Sequence, residues 1–181
     1  MQLLTERLLL REWEPGDLPA FEALNSDPAV MEHFVSTLAP EQTHKSYDLF
    51  QLHFATYGYG FWVVTEKQGG PFLGFTGFNH PRFESFFTPC IEIGWRFCTA
   101  AWGKGYATEA AKACLEAGFR QLGMQEVYAF TTTTNKRSEK VMQRIGMQYQ
   151  GEFDHPSVEK GHRLERHVLY KITPGLLWHG I

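Results

Sequence analysis

The sequence lacks several features that mark large classes of protein. No apolar run approaches the roughly 20 residues that a membrane-spanning helix needs, and residues 1–11 alternate with charges instead of forming a signal peptide's apolar core. Lys and Arg number 17 against 20 Asp and Glu, so no basic excess attracts nucleic acid. No repeat or low-complexity stretch appears. We therefore expect a cytoplasmic protein with no membrane partner and no nucleic-acid partner.

Cysteine is scarce, and its spacing excludes two kinds of site. Cys90, Cys98 and Cys114 form an odd set without a Cys-x-x-Cys pair, which argues against a disulfide framework and a structural zinc site. Three histidines follow later in the chain, at His155, His162 and His167. Their segment contains neither a cysteine nor a His-x-x-x-His pair, so we expect substrate contact or hydrogen bonding there, and no metal.

The length of 181 residues suits one domain with a substantial core. We predict a single domain over 1–181, with its core at about 3–172 and a short tail at 173–181. The tail carries Leu176, Leu177 and Trp178, which can pack on the same domain or on a partner. A monomer and a homodimer both remain open.

The most informative stretch runs from Cys90 to Ala110. Ile91, Ile93, Trp95 and Phe97 alternate, as in a strand with one buried face. Two glycines follow and permit a turn, after which small residues recur at helical spacing. The pattern predicts a strand, a glycine turn and a helix whose inner face carries Ala107, Ala110, Ala111, Cys114 and Gly118.

A glycine turn that leads into a helix suits a phosphate, because the first amides of a helix lack internal partners and lie at its positive end. The donors here would be the amides of residues 103–107; the alternative is a purely structural turn. A P-loop is excluded, since no Gly-x-x-x-x-Gly-Lys-Ser/Thr run exists. A dinucleotide fingerprint is incomplete because Thr108 occupies the third glycine position, although Glu126 lies at a suitable distance for its acidic residue.

Hydrophobic periodicity predicts the remaining elements. Two helices are expected near the start, one opened by Pro15 and a short one beginning at Asp27-Pro28. A helix opened by Asn135 should carry Ser138 on its inner face. The other helices are predicted at Pro40–Tyr57 and from Tyr106 to Gly123. The strands are predicted at Thr5–Trp13, Phe61–Glu66, Phe72–Asn79, Ile91–Phe97, Val127–Thr134, Met147–Phe153 and Arg166–Ile172.

The glycine turn resembles the acetyl-CoA pyrophosphate loop of the GNAT N-acetyltransferases, whose pattern is Gln/Arg-x-x-Gly-x-Gly/Ala. Gly103 and Gly105 match, while Ala100 replaces the Gln or Arg and leaves the backbone cradle intact. The run from Trp102 to Ala110, the opening Leu-Thr-Glu-Arg-Leu and the later Ser-Asp-Pro are similar to the RimJ/RimL branch. The resemblance spans about 3–172. It implies an α/β fold with a mixed, mostly antiparallel seven-stranded sheet, helices on both faces, and a splay between strands 4 and 5 that admits pantetheine.

The resemblance also implies the activity and the residues that serve it. The activity is transfer of the acetyl group of acetyl-CoA to a primary amine, by direct attack in a ternary complex. The implied cofactor-binding residues are Trp95, Phe97, Cys98, Trp102, Gly103, Lys104, Gly105, Tyr106, Ala107, Thr108, Asn135 and Ser138. Strand residues 95–98 would pair with pantetheine and offer an amide to the acetyl oxygen.

The acceptor amine has a pKa near 10, so a base or a water relay must take its proton. Glu92 is the first candidate, because it lies in the central strand out of phase with the apolar residues. A structural role for Glu92, such as a pair with Arg96, is the alternative. Glu165 and His80 are weaker candidates for the base.

Protonation of the leaving thiolate is assigned to Ser138, since Asn135-x-x-Ser138 resembles a motif of the branch in which Asn contacts pantetheine and Ser approaches the sulfur. Asn135 is also a good helix cap. Cys98 as an acylated nucleophile is disfavoured because no histidine is spaced to activate it. Candidate partners of the CoA phosphates are Lys104, Lys136, Arg137 and Lys140.

The acceptor is not specified by these motifs. Protein N-termini and small-molecule amines are both open, and an aromatic loop with Phe83, Phe86 and Phe87 serves either packing or substrate binding. Two further hypotheses are a non-catalytic acyl-CoA-binding or sensor module and a nicotinamide oxidoreductase.

Overall fold

The computed structural model describes residues 1–178, with the side chains of Leu177 and Trp178 and all of 179–181 left outside the description. Its helices are α1 Leu18–Ser26, α2 Pro40–Tyr57, α3 Tyr106–Arg120, α4 Lys136–Arg144 and α5 Pro174–Trp178. Its strands are β1 Leu3–Leu4, β2 Leu8–Arg11, β3 Phe61–Glu66, β4 Phe72–Asn79, β5 Glu92–Phe97, β6 Val127–Thr132, β7 Gln148–Asp154 and β8 Arg166–Ile172. Eight strands replace the seven that we predicted.

The eighth strand is β1, which precedes the first predicted strand because the chain reverses at residues 5–8. The Leu8 amide donates to Thr5 Oγ1 at 2.8 Å, and the Thr5 amide donates to Leu8 O at 3.0 Å. These bonds close a turn that pairs Leu3 with Leu10 and Leu4 with Leu9 in antiparallel register. The predicted count of seven was wrong because β1 has only two residues, too few for an alternating pattern to mark it, and because Thr5, Glu6 and Arg7 form a turn where a strand was predicted.

The predicted helix at Asp27-Pro28 was also wrong. Asp27 is extended at φ −73°, ψ 113°, and its Oδ1 accepts the Ala29 amide at 2.8 Å. This side-chain turn competes with a helix for the backbone amides. Residues 28–33 form turns instead, with Met31 N donating to Asp27 O and Phe34 N to Met31 O.

The described chain divides into two compact units, and β5 and α3 each contribute residues to both. The first unit comprises 1–78 and 94–114, with strands in the order β1-β2-β3-β4-β5. The pairs β1–β2, β2–β3 and β3–β4 are antiparallel. Its core is an aromatic cluster in which each ring centroid lies within about 6 Å of at least two others, formed by Trp13, Phe21, Phe50, Phe61 and Phe75.

Glycine lets β4 approach β5 closely in this unit. A Cβ added to Gly74 would lie 2.2 Å from Arg96 O and 2.7 Å from Phe97 Cα, and Gly74 has a φ of +145°. The close approach and the backbone conformation both require glycine at this position.

The second unit comprises 79–93 and 115–178, with strands in the order β5-β6-β8-β7. β5 and β6 are parallel at Glu92 and Tyr128, whereas β6–β8 and β7–β8 are antiparallel. Its core contains Phe87, Phe153 and Leu169. The fold is thus α/β with a mostly antiparallel sheet, as predicted; the splay between the strands numbered 4 and 5 in the prediction, now β5 and β6, stays a prediction.

The predicted tail contains the short helix α5, and Leu176 N donates to Thr173 O at 3.1 Å at its start. How Leu177 and Trp178 pack lies outside the described residues. Over residues 1–178, no helix combines the length and the hydropathy that a membrane span requires.

Candidate active site

The predicted glycine turn lies at the start of α3, in the first unit. Gly103 and Gly105 have φ of +74° and +81°, and residues 103–105 are exposed. The first helical bond runs from Glu109 N to Gly105 O at 3.0 Å, so the amides of residues 106–108 precede it and lack intrahelical acceptors. An exposed turn of this kind, at the positive end of a 15-residue helix, fits a pyrophosphate.

A hydrogen-bonded cluster of Thr5, Arg7 and Glu109 holds the turn, and we call this cluster the brace. Thr5 Oγ1 donates to Glu109 Oε1 at 2.6 Å, and Arg7 Nε donates to Oε2 at 2.7 Å. Arg7 Nη1 also donates to Lys104 O at 3.0 Å, inside the turn itself. Burial acts against ionisation of Glu109, but the hydrogen bonds from Thr5 and Arg7 outweigh it and lower its pKa.

Tyr106 anchors the first turn of α3. Its hydroxyl donates to Glu66 Oε1 at 2.9 Å, and the Arg7 guanidinium lies 4.7 Å from its ring centroid. Ala107 and Thr108 follow, partly exposed, on the same turn. Trp102 precedes the glycines, and its Nε1 donates to Phe97 O at 2.9 Å. The backbone of the turn is therefore fixed at both ends.

Along residues 95–98, successive backbone amides point to opposite edges of the strand, so the candidate amides fall into two sets. The Cys98 amide donates to Leu73 O at 2.9 Å, on the β4 side. Because neighbouring amides of a strand point to opposite edges, the amides of Trp95 and Phe97 point away from β4. Backbone pairing with pantetheine therefore depends on Trp95 and Phe97. Burial raises the pKa of the Cys98 thiol, which disfavours the thiolate that a nucleophile needs.

Glu92 lies at the start of β5, in the second unit, and is partly buried. Burial raises its pKa to about 7, against the opposing effect of Asn79 Nδ2, which donates to Oε2 at 3.4 Å. A carboxyl group with a pKa near the working pH is suited to a general base. The predicted alternative partner, Arg96, donates through Nη1 to Asn25 Oδ1 in the first unit.

The other candidate bases have different surroundings. Burial lowers the pKa of His80, which keeps its imidazole neutral. Glu165 Oε2 accepts the Gly161 amide at 2.6 Å and thereby closes a loop. Glu165 thus has a structural task, whereas Glu92 combines a raised pKa with partial access to solvent.

Asn135 caps α4, as predicted, and its Oδ1 accepts the Ser138 amide at 3.1 Å. Met142 and Ile145 of the predicted inner face are buried, and Ser138 is partly buried. Within residues 1–178 the Ser138 hydroxyl makes no hydrogen bond to protein. It is therefore free to donate to a ligand.

Of the four predicted phosphate partners, one lies in the glycine turn and three lie on α4. Lys104 is exposed within the glycine turn, and Lys140 is exposed on α4. Lys136 Nζ is engaged by Glu139 at 2.8 Å. Arg137 is exposed beside it.

The aromatic loop contributes to packing, with one exception. Phe87 is buried among Phe153 and Leu169, and Phe83 packs against this cluster, whereas Phe86 is 77% exposed. Two of the three predicted histidines join the same cluster, with 4.9 Å between the ring centroids of His155 and His167.

Burial lowers the pKa of both imidazoles, that of His155 to about 4, so the pair is neutral near pH 7. His162 Nδ1 instead accepts the Leu164 amide. Within the described chain, no three His, Cys, Asp or Glu side chains form a metal-binding group.

Sequence reasoning missed the brace and the partner of Glu92. Thr5 and Arg7 belong to the singled-out opening motif, but their contact with Glu109 joins positions more than 100 residues apart. Asn79 ends a predicted strand without any feature that marks it as a partner of Glu92. Contacts of this kind leave no local signal in one sequence.

The geometry agrees with comparisons to known proteins. The sequence model of the "Acetyltransferase (GNAT) domain" matches residues 7–148. The chain is similar to the uncharacterized protein YkkB of Bacillus subtilis, at 35% identity over 82% of this chain and 86% of YkkB. It is also similar to the uncharacterized N-acetyltransferase YnaD of the same organism, at 31% identity over 84% of this chain and 86% of YnaD.

Among solved structures, a GNAT-family acetyltransferase from Bacillus anthracis superposes with a TM-score of 0.79 and 28% identity, covering 96% of this chain and 98% of that one. RimL, a ribosomal L7/L12 alpha-N-protein acetyltransferase solved with coenzyme A, has a TM-score of 0.78 at 16% identity, covering 96% and 98%. A spermidine N-acetyltransferase from Vibrio cholerae, solved with CoA and spermine, has a TM-score of 0.74 at 19% identity, covering 94% and 98%.

The last two likenesses concern the fold alone. The family model, in contrast, covers most of the chain and includes the glycine turn, the brace residue Glu109 and the Asn135-capped helix. This protein therefore belongs to the GNAT family of acetyltransferases.

Proposed function

We propose that this protein is an acetyl-CoA-dependent N-acetyltransferase of the RimJ/RimL-like branch, which acetylates a primary amine by direct attack in a ternary complex. The observation that carries the proposal is the exposed glycine turn at the N-terminus of α3, held by the brace. The amides of residues 103–107 would hold the pyrophosphate of CoA, and Lys104 would add a positive charge.

The thioester supplies the acetyl group. The base takes one proton from the ammonium form of the amine. The nitrogen then forms a bond to the carbonyl carbon and the carbon–sulfur bond breaks. The second proton lost by the nitrogen passes through the Ser138 hydroxyl to the thiolate, so that the serine ends neutral. The amides of Trp95 and Phe97 are proposed to bind pantetheine and the acetyl oxygen, as donors directed at a developing oxyanion. Trp102, Tyr106, Ala107 and Thr108 would line the cradle, and the Cys98 side chain would lie at its edge.

Proton transfer is assigned to Glu92 and Ser138. Glu92 takes the proton of the amine, because its raised pKa makes it a stronger base than an ordinary carboxylate. Ser138 donates to the thiolate, since its hydroxyl has no protein partner within the described chain. Asn135 contacts pantetheine through its amide nitrogen while its Oδ1 caps α4.

The acceptor is either a protein N-terminus or a small-molecule amine. RimL represents the first class and the spermidine enzyme represents the second, and both share this fold. The relatives give no support to a non-catalytic acyl-CoA sensor. The cytoplasmic location, the absence of membrane and nucleic-acid partners, and the choice between monomer and homodimer remain predictions.

A thermal-shift titration tests the proposal, because a ligand that binds the native state raises the unfolding temperature by mass action. Acetyl-CoA and CoA should raise the unfolding temperature, whereas NADH should leave it unchanged. At a ligand concentration of 100 times the dissociation constant, the expected increase in the free energy of unfolding is about 2.7 kcal/mol.

Gly105→Val is the matched control, since a side chain at φ +81° in the turn should abolish the shift by acetyl-CoA. A shift with NADH alone would instead favour the oxidoreductase hypothesis. Absence of any shift with either CoA species would refute the acetyltransferase proposal.

A further inference from the structure

Within the described residues 1–178, no Asp or Glu side chain pairs with the Arg96 cation. It lies in β5, in the first unit, and its Nη1 donates to Asn25 Oδ1. The guanidinium carbon lies 4.2 Å from the ring centroid of Phe34 and 5.4 Å from that of Phe75. Among residues 1–178 these are its polar and ring contacts, and no Asp or Glu forms an ion pair with it.

The Nε–H of Arg96 is buried and has no hydrogen-bond acceptor in the part of the chain that the structure describes. Burial lowers the pKa of the guanidinium to about 10, which still leaves it charged at neutral pH. Proteins rarely bury an arginine without a carboxylate or phosphate partner, because a desolvated charge and an unsatisfied donor both cost stability. The missing partner is therefore expected to be an anion from outside the protein.

Part of the guanidinium remains within reach of such an anion. Arg96 is partly exposed, and its Nη2 is neither hydrogen-bonded within the described chain nor among the inaccessible atoms. Asn25 fixes the orientation of the group, since its own Nδ2 donates to the buried Thr43 at 3.2 Å. The planar guanidinium is thus held in one orientation with its Nη2 atom accessible.

We propose that Arg96 binds a carboxylate carried by the acceptor amine, so that the substrate is an amino acid or a similar amine with a carboxylate. The inference rests on the proposed function. Arg96 belongs to the 95–98 segment whose neighbouring amides are assigned to pantetheine, so an anion bound by its side chain lies close to the thioester.

The surroundings favour a carboxylate over a phosphate. One guanidinium, one neutral amide and two aromatic rings offer a single positive charge, with no Lys or second Arg among the described contacts of Arg96. A dianionic phosphate would leave a charge uncompensated, whereas a carboxylate matches the single charge. Phe34, at 41% exposure, covers one face of the guanidinium and would exclude water from the ion pair.

The test compares L-amino acids with their carboxamides, which keep the amine and remove the negative charge. Thiol release from acetyl-CoA should be faster for at least one amino acid than for its amide, by about 10- to 100-fold in kcat/KM. Arg96→Met should abolish this difference. Arg96→Lys, which keeps the charge but lacks the fork, should retain part of it.

The control is Arg120→Gln, because Arg120 is an exposed arginine paired with Glu116 on α3, and its loss should leave the discrimination intact. Circular dichroism of each variant verifies folding. Equal rates for acid and amide with the wild type, or discrimination that persists in Arg96→Met, would overturn the proposal.

A binding measurement distinguishes failure of this proposal from failure of the proposed function. Thermal shifts are measured with the same acids and amides in the absence of acetyl-CoA. If no amine is acetylated, acetyl transfer fails as a function, yet a shift by an acid that its amide and Arg96→Met both lack would still establish the anion site. Equal shifts by acid and amide, or no shift by either, would then refute it.

Discussion

The proposed transfer of the amine proton depends on the ionisation state of one side chain, Glu92. Its pKa is raised to about 7 by burial, so that its ionised fraction grows as pH rises through neutrality. A base must be ionised to accept a proton. The activity of the enzyme should therefore follow this titration.

Glu92→Gln should lower kcat/KM at pH 7 by about 10²- to 10⁴-fold. The wild type should show an inflection near pH 7, whereas the variant should lack it and recover only as the amine itself deprotonates. The measurement is the pH–rate profile of both proteins. Glu84→Gln, at an exposed position, serves as the control. An unchanged inflection in the Gln variant would remove Glu92 from the role.

The same variant has a stability readout with a defined sign. The folded pKa of about 7 lies above the ordinary 4.5, so folding favours protonated Glu92, and wild-type stability is lost as pH rises from 4.5 to 7. The Glu92→Gln variant escapes this loss, because its amide does not titrate. Its advantage in the free energy of unfolding should grow across that window by at most roughly 3 kcal/mol, because each pKa unit corresponds to about 1.36 kcal/mol.

Individual residues were predictable where their role depends on near neighbours. The cap at Asn135 and the turn at Gly103 and Gly105 follow from the residues within a few positions. The environment of Arg96 was not predictable, because Asn25, 71 positions earlier, meets it only after the chain folds back. The choice between a pair with Glu92 and another partner required the structure.

Secondary-structure elements followed the sequence closely where periodicity is strong. The bounds of α2, β3, β4 and β8 are as predicted. The failures lie where polar side chains bind the backbone, at the turn closed by Thr5 and at the turn closed by Asp27. Secondary-structure propensity does not predict such bonds, because each depends on one side chain in one rotamer.

Gly74→Ala should destabilise the contact of β4 with β5. The added Cβ meets Arg96 O at 2.2 Å on a backbone of φ +145°, so overpacking and strain together should cost about 2–6 kcal/mol. Urea unfolding measures the loss. Gly16→Ala is the matched control because open space surrounds Gly16, and it should change stability by no more than about 0.5 kcal/mol. Equal midpoints for the two variants would contradict the close approach.

At the scale of the whole molecule, the sequence predicted the family and the fold class from the glycine turn, the opening motif and the order of elements. We predicted one domain, and the described chain divides into two compact units, each with its own core; the number of domains stays a prediction. The brace could not be predicted, because it joins the opening motif to a helix in the second half of the chain. Local patterns describe elements, and the contacts between distant elements follow from the folded chain.

The brace should matter for cofactor affinity more than for stability. Arg7→Gln removes the side-chain bonds to Glu109 and Lys104 O but keeps the backbone bond to Glu109. It should weaken acetyl-CoA binding about three- to tenfold, as expected for an exposed pair. Isothermal titration calorimetry measures the change. Lys67→Gln is the control, since Lys67 Nζ donates to Thr5 O nearby but not to the turn. An equal loss in both variants would show that the brace does not order the turn.

The brace also sets an order of events in folding. Thr5 and Glu109 are 104 positions apart, so this contact closes a large loop and forms only after more than half of the chain has left the ribosome. Contacts of such separation pay their loop-closure entropy before they add stability, and they tend to form late. The nascent chain should consequently acquire its ordered glycine turn near the end of folding, well after α2 and the β3–β4 hairpin have formed from local contacts.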